Sequence, residues 1–384
     1  MSCNFDEISD RLHSDSAKWK HYEVDVLPMW VADMDFRSPE PVINALRERV
    51  DHGIFGYPCE LPGMQEAVVT WLQKRHNWKV APESLMFIPG VITGFNLVSH
   101  AISEPGDGVL IQTPAYPPFF RVSKNVGLVQ QENEFITNDN GEYGIDFDAF
   151  ESAITDSTSI FILCNPHNPT GRVFRKDELE KMAEICLRHD VLICSDEIHH
   201  DLIYSESKHI PIASLDHEVE QNTVTLFAPS KTFNIAGLCS SVAVVPNEEL
   251  RKKIEAAKQG LLGWVNLLGR VATLAAYQHG EEWLDELMVY LQGNRDFTYQ
   301  FVNEKMPGIS MGKPEGTYLA WLDCSKAGLD VPPADFFLEK AQVGVNDGES
   351  FGEKSKDFVR LNFGCPRNTL EEGLERMRTA LVSN

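Results

Sequence analysis

Three short runs of almost uninterrupted apolar residues, each ending in polar groups, restrict this chain to few architectures. They lie at 159–165, 191–195 and 224–227. Each is too short for a buried helix and too apolar for a strand with one solvated face. Between the first two, Leu179, Met182, Ala183, Cys186 and Leu187 recur at helical spacing. Repeated strand–helix steps of this kind predict an α/β fold, with a mostly parallel central sheet sandwiched by helices. Further strands are expected at 85–88, 109–112 and 241–246, and helices over 39–50, 64–76, 91–102 and 177–190. One long helical region is expected from Glu248 to about Gln278, followed by a helix at 281–304. Strands at 317–323 and 358–364 and a helix at 369–382 complete the pattern.

Charge and composition remove whole classes of function. Of 384 residues, 57 are acidic and 34 basic, a formal net charge of −23. Such a surface repels nucleic acid and anionic membrane, so neither is expected as a partner. No apolar run reaches the roughly 18–20 residues of a membrane span, and the polar N-terminus lacks the apolar stretch of a signal peptide. The eight cysteines are scattered without a Cys-x-x-Cys pair. A reduced, cytoplasmic protein is expected.

The chemistry lies in the residues just past the strand ends. The run 224–227 ends in Ala-Pro-Ser, and Lys231 comes next. A lysine in a loop is ordinarily a surface residue. At the end of a buried strand it is partly desolvated, which lowers its pKa and makes it a nucleophile or base. The run 191–195 likewise delivers Asp196 and Glu197 to a strand end, the edge at which open α/β sheets bind ligands. An amine and a carboxylate at neighbouring strand ends suit pyridoxal 5′-phosphate: the lysine condenses with the aldehyde and the carboxylate keeps the ring nitrogen protonated. After Pro89-Gly90 a helix begins, so the amides of Val91, Ile92 and Thr93 can cradle a phosphate, although an ordinary strand–helix junction reads the same way. Tyr116, before two prolines, either stacks on a flat ring or packs in the core. Asn168 comes after a proline-constrained turn, placed to donate to the ring's phenolic oxygen. Arg360 sits inside an alternating strand and needs a partner, either a substrate carboxylate or a surface acid.

Ser-Lys-Thr-Phe-Asn at 230–234, Asn-Pro-His-Asn-Pro-Thr-Gly at 165–171 and Ser-Asp-Glu-Ile-His at 195–199 resemble the fold-type I pyridoxal-phosphate enzymes of the class I/II aminotransferase superfamily. Over essentially the full chain, the resemblance is strongest to the MalY/PatB branch of cystathionine β-lyases. It implies a large cofactor-binding domain over 49–284 and a small domain from 1–48 and 285–384. It also implies a homodimer with shared active sites. Lys231 would be the cofactor lysine and catalytic base, with Asp196, Asn168, His199, Tyr116 and Ser230 around the cofactor. Histidine at 199, where aminotransferases commonly carry tyrosine, is lyase-like. Arg-Leu-Asn-Phe-Gly-Cys-Pro-Arg at 360–367 resembles the family's carboxylate-binding strand, placing Arg360 with Asn168 on the substrate. Residues 28–36, with Ala32 and Asp33, would lie across the site mouth. Tyr57, in the turn-rich loop 53–63, would reach the neighbouring subunit's cofactor phosphate, and Tyr116 or Tyr57 would protonate the leaving group. Lys20, Gly364 and, against the wider superfamily, Cys239 depart from the usual pattern; many aminotransferases carry a phosphate-binding arginine at the last.

The expected activity is cleavage of cystathionine or cysteine S-conjugates to pyruvate, ammonia and a thiol. An aminotransferase is the nearest alternative, since it uses the same lysine; a regulatory protein that binds a protein partner is the alternative from another class. Two other motifs fail. Gly-Glu-Ser-Phe-Gly at 348–352 matches a hydrolase nucleophile elbow, but a polar loop succeeds it and no histidine lies downstream of Ser350. His199-His200-Asp201 invites a metal, but adjacent residues point to different sides and no second cluster accompanies them in sequence, so none is expected.

Overall fold

The computed structural model describes residues 3–138 and 141–383. Its central sheet contains β1 (Leu85–Ile88), β2 (Gly108–Thr113), β3 (Val129–Glu134), β4 (Thr158–Cys164), β5 (Leu192–Asp196), β6 (Thr223–Phe227) and β7 (Ser241–Val244). Across the sheet they lie in the order β1-β7-β6-β5-β4-β2-β3. Every contact from β6 to β3 is parallel, while β7 runs against both its neighbours. Positions in β2 and β6 are buried throughout, because helices cover both faces. Each Val, Leu or Ile so buried contributes roughly 1.5–3 kcal/mol. β3 is absent from the strands expected above. It is an edge strand, Val-Gln-Gln-Glu-Asn-Glu, with only Asn133 buried. Its exposed charge suits an edge that must not recruit another strand, and it also hides the strand from a search for apolar runs.

The helices include α1 (Glu40–Asp51), α2 (Met64–His76), α3 (Val91–Ile102), α4 (Pro117–Val126), α5 (Lys176–Arg188), α6 (Pro229–Thr232), α7 (Glu248–Lys258), α8 (Leu267–His279), α9 (Glu281–Lys305) and α10 (Arg367–Val382). α3 lies hard against the sheet at Gly94, where an added Cβ would stand 2.6 Å from Ile88 Cδ1 and 3.0 Å from Leu226 Cδ2. The long helical region expected from Glu248 to Gln278 is two helices. Gly260 takes φ +79°, and Asn266 starts the second helix by accepting the Gly269 N–H at 2.7 Å.

Toward the C-terminus, β8 (Leu319–Asp323), β9 (Asn346–Asp347) and β10 (Phe358–Asn362) form an antiparallel sheet in the order β8-β10-β9. Leu27–Pro28 pairs in parallel with Val343–Gly344, joining the start of the chain to its end. The N-terminal arm is held by buried charge. Lys18 Nζ donates to Asp35 Oδ2 at 2.7 Å, Trp19 Nε1 to Asp35 Oδ1 at 2.9 Å, and Arg11 bonds both Asp33 and Asp35. Lys20, which departs from the family pattern, is exposed and takes no part. At Gly364 an added Cβ would meet Met34 Cγ at 2.9 Å, so here the arm fills the space an alanine methyl would need. Among the described residues no helix is long and apolar enough to cross a membrane.

Candidate active site

The carboxyl ends of β1, β4, β5 and β6 open on one cavity of about 250 Å³, lined among others by Tyr116, Asn168, Asp196, His199, Ser230 and Lys231. β5 ends in Asp196 itself. After β6 come Ala228 in extended conformation and Pro229 at the first helical position, so α6 begins at once and turns Lys231 into the cavity. Burial first, and then the Arg360 cation, bring the Lys231 amine down to about 8, against the pull of Asp33 and Asp196. Burial likewise raises Asp196 to about 7, opposed by the Ile198 N–H that donates to Oδ1 at 3.1 Å and by Lys231. A carboxyl raised this far ionises readily once a cationic partner arrives, and it then holds that partner's proton.

Lys231 Nζ donates to the carbonyl oxygen of Ala32, and the Tyr318 hydroxyl donates to the same oxygen at 2.9 Å. The arm therefore forms the roof of the site. Asn234, three residues beyond the lysine, fixes that roof by bonding the Met34 N–H at 3.0 Å and the carbonyls of Met34 and Phe36 at 2.8 Å. Asn362 binds the carbonyls of Val31 and Asp33 from the other side.

Arg360 is 4% exposed and burial lowers its pKa to about 10. Its guanidinium donates to Asn168 Oδ1 at 2.9 Å, to Asn346 Oδ1 at 2.6 Å and to the Trp30 carbonyl at 3.1 Å, while Nε has no partner among the described residues. Among the described residues no carboxylate pairs with it. A buried cation held only by neutral acceptors is arranged to receive an anion. Asn168 Oδ1 is committed to Arg360, so its further donation comes from Nδ2. Burial holds the Tyr116 phenol above its usual pKa, with Asp196 adding to the effect. His199 lies well below the usual imidazole value, through burial and then Lys231 and Arg360, and its Nδ1 is buried without a partner.

Ala32, Val91, Ile92, Ser230 and Tyr116 line the cavity as the sequence suggested. Thr93 does not line it, nor does Asp33, whose carboxylate is taken by Arg11. Tyr57 is not brought to this cavity either: it is 91% exposed and packs edge-on against Trp264 at 5.1 Å. Glu197 turns away from the cavity to Ser195, His209 and the Ile212 N–H. Tyr318 and the lining residues Ser240 and Ser241 carry no signal in the sequence, and Asn234 and Asn362, although they fall inside the motifs at 230–234 and 360–367, take no role from them. Their roles arise from contacts between distant segments, which no local motif announces. The same holds for His76, which the fold brings to His200 and Asp201 so that the ligand atoms of all three lie within 4.8 Å of one another. The accompanying group that sequence spacing fails to show is present. Ser350, by contrast, is exposed on a short turn with its hydroxyl donating to the Asp347 carbonyl at 2.7 Å.

An open, mostly parallel sheet with an amine and a carboxylate meeting at its carboxyl edge defines a cofactor-dependent α/β enzyme architecture. The model of aminotransferase class I and II matches residues 24–377. The curated relatives include cystathionine beta-lyase PatB of Bacillus subtilis, 44% identical over 386 residues, covering 98% of this chain and all of that protein. Among solved structures, a PLP-bound putative aminotransferase from Clostridium difficile 630 superposes with TM-score 0.96 at 43% identity, covering 99% of this chain and 100% of that one. Cystalysin from Treponema denticola, which contains a pyridoxal 5′-phosphate cofactor, matches at TM-score 0.96 and 32% identity over 100% of both chains. The chain belongs to the class I and II aminotransferase family, in the branch that contains PatB.

Proposed function

We propose that this chain is a pyridoxal-phosphate-dependent carbon–sulfur β-lyase acting on cystathionine or related cysteine S-conjugates. The observation that carries the reading is Lys231, a lysine lowered to about 8, sharing one cavity with buried Asp196 in a chain so similar to PatB. The residues fit the cofactor. Asp196 can face its ring nitrogen, Asn168 and His199 its polar edge, Tyr116 its flat face, and Ser230 with the start of α3 its phosphate. When bound, that cofactor supplies the sink for the electron pair left when the substrate's Cα loses its proton.

The protein's share of the reaction rests on its geometry. Arg360 takes the substrate carboxylate and orients Cα. Lys231, a base near neutral pH once released, removes the Cα proton. The Cβ–S bond then breaks with its electron pair going to sulfur, and Tyr116, kept as a neutral phenol by burial, donates the proton that completes the thiol. The unsaturated amine left over takes up water and yields pyruvate and ammonia.

Product analysis tests the reaction type. L-Cystathionine should give pyruvate, ammonia and homocysteine in equal amounts without any keto-acid acceptor. L-Alanine should transaminate slowly if at all. The aminotransferase reading is supported by the family model over residues 24–377 and by the superposition on a structure described as a putative aminotransferase. Turnover that requires 2-oxoglutarate and leaves the carbon–sulfur bond intact would restore it.

The reading includes a homodimer with shared sites. Ile54, Phe55, Tyr57, Leu261 and Trp264 are all exposed, a stretch of apolar surface that a second copy would cover. With Cys239 replacing the phosphate arginine, Tyr57 from a neighbour would complete the phosphate site. Tyr57→Phe and Lys231→Ala, each severely impaired alone, should regain activity when their subunits are mixed. Verified subunit exchange with no recovery would sink the sharing. All eight cysteines are free thiols, in keeping with a reducing cytoplasm.

A further inference from the structure

Behind the cavity wall, the end of α2 and the turn after β5 bury a second group of metal-ligating side chains. The side chains of His76, His200 and Asp201 are 6%, 2% and 0% exposed. His200 Nδ1 lies 2.8 Å from the backbone carbonyl oxygen of Glu197. That oxygen can only accept, so Nδ1 carries the hydrogen and neutral His200 presents its lone pair at Nε2. Nε2 is buried with no hydrogen-bond partner among the described residues, and it faces Asp201 Oδ2 at 3.3 Å. A lone pair and a carboxylate oxygen, both acceptors, are thus set against each other in a dry interior, where a positive centre between them would convert repulsion into binding. His76 Nε2 approaches the other oxygen of the same carboxylate at 3.0 Å. Just behind, the His209 ring lies 5.5 Å from that of His76, and its Nδ1 is also buried and unpartnered.

We propose that His76, His200 and Asp201 bind a divalent cation of the zinc class. Two imidazoles and a carboxylate are the donor set such an ion prefers. Bonds of about 2.0–2.1 Å in a tetrahedron space the ligand atoms roughly 3.4 Å apart, close to the 3.3 Å and 3.0 Å separations from His200 and His76 to Asp201, each of which faces a different oxygen of that carboxylate. The two histidine nitrogens lie within 4.8 Å of each other; a shift of the His76 ring, leaving the His200 bond to Glu197 in place, would close that pair, and the fourth position would fall to water or to His209. The outer contacts suit a metal centre as well. A ligating histidine donates its other N–H to a carbonyl, as His200 does to Glu197. Asp201 accepts from Trp71 Nε1 at 3.1 Å and from Thr232 Oγ1 at 3.0 Å. Thr232 is the residue next to Lys231, so the ion would brace the turn that carries the lysine against α2.

The test is a metal count on holoenzyme from zinc-supplemented cells after dialysis against metal-free buffer. About one zinc per chain is expected, lost in His200→Gln, which keeps the size and polarity of the side chain. Cobalt(II) taken up in its place should show the visible absorption of a tetrahedral site. Folded wild-type protein that holds its cofactor but carries substoichiometric zinc overturns the site. A zinc content unchanged in His200→Gln does so too, because the ion then lies elsewhere. Should that variant fail to fold, the wild-type cobalt spectrum decides: absence of tetrahedral bands refutes the proposal.

Discussion

Lys231→Ala is expected to leave a folded protein whose lyase activity is reduced by roughly 10⁴-fold or more, the scale on which loss of a central acid–base group registers. The fold should survive because, among the described residues, the one hydrogen bond of the lysine side chain goes to the Ala32 carbonyl, and Tyr318 still satisfies that oxygen. Truncation also removes an amine whose burial lowers its pKa, so stability should hold within about 1 kcal/mol. Borohydride should no longer fix cofactor to the chain, and the protein should lose the absorbance of the covalently held cofactor. A variant that kept a borohydride-reducible link would place the attachment on another lysine and undo the assignment.

Asp196→Asn should separate activity from stability. Asparagine cannot hold a proton on the cofactor ring as a carboxylate does, so activity of the loaded enzyme should fall by about 10³-fold. The cofactor-free protein should respond in the opposite sense. Its folded state holds the Asp196 proton up to about pH 7, whereas the unfolded chain releases it near 3.8. The folded state therefore binds more protons across that window, and the group's contribution to stability declines as pH rises from about 4 to 7. The asparagine variant is spared this decline. Relative to wild type it should gain a few kcal/mol by pH 8, on the order of 1.4 kcal/mol for each unit of the shift. Glu197, also raised to about 7 by burial, is present in both proteins, and the variant additionally frees it from repulsion by the Asp196 charge, an effect of the same sign. Denaturant melts of the two cofactor-free proteins at pH 5 and pH 8 measure the difference; equal curves at both values would mean that Asp196 is not desolvated as the structure implies.

What can be read from the sequence, and what cannot, divides along physical lines. The ends of β5 and β6 are legible because strands buried on both faces announce themselves as apolar runs, and the first polar residue after each run falls at the ligand-binding edge. β3 is not, since an edge strand carries polar residues on purpose. The break between α7 and α8 is masked because helical spacing on either side outweighs Gly260 and Gly263. Resemblance assigns Asp33 to the substrate, but Arg11 lies close enough to claim it. Tyr318, Asn234 and Asn362 act through backbone groups of a segment hundreds of positions away or on another element, and composition carries no trace of such pairings. His76 belongs with them: it stands 124 positions before His200, and only the packing of α2 against the turn after β5 reveals the meeting.

The carbonyl of Ala32 also ties together parts of the chain that sequence keeps far apart. One backbone oxygen accepts from Lys231, just past β6, and from Tyr318, just before β8. The length of the arm between residues 28 and 36 therefore sets the height of that oxygen over the lysine. An insertion or deletion there would reach the amine as directly as a substitution beside it.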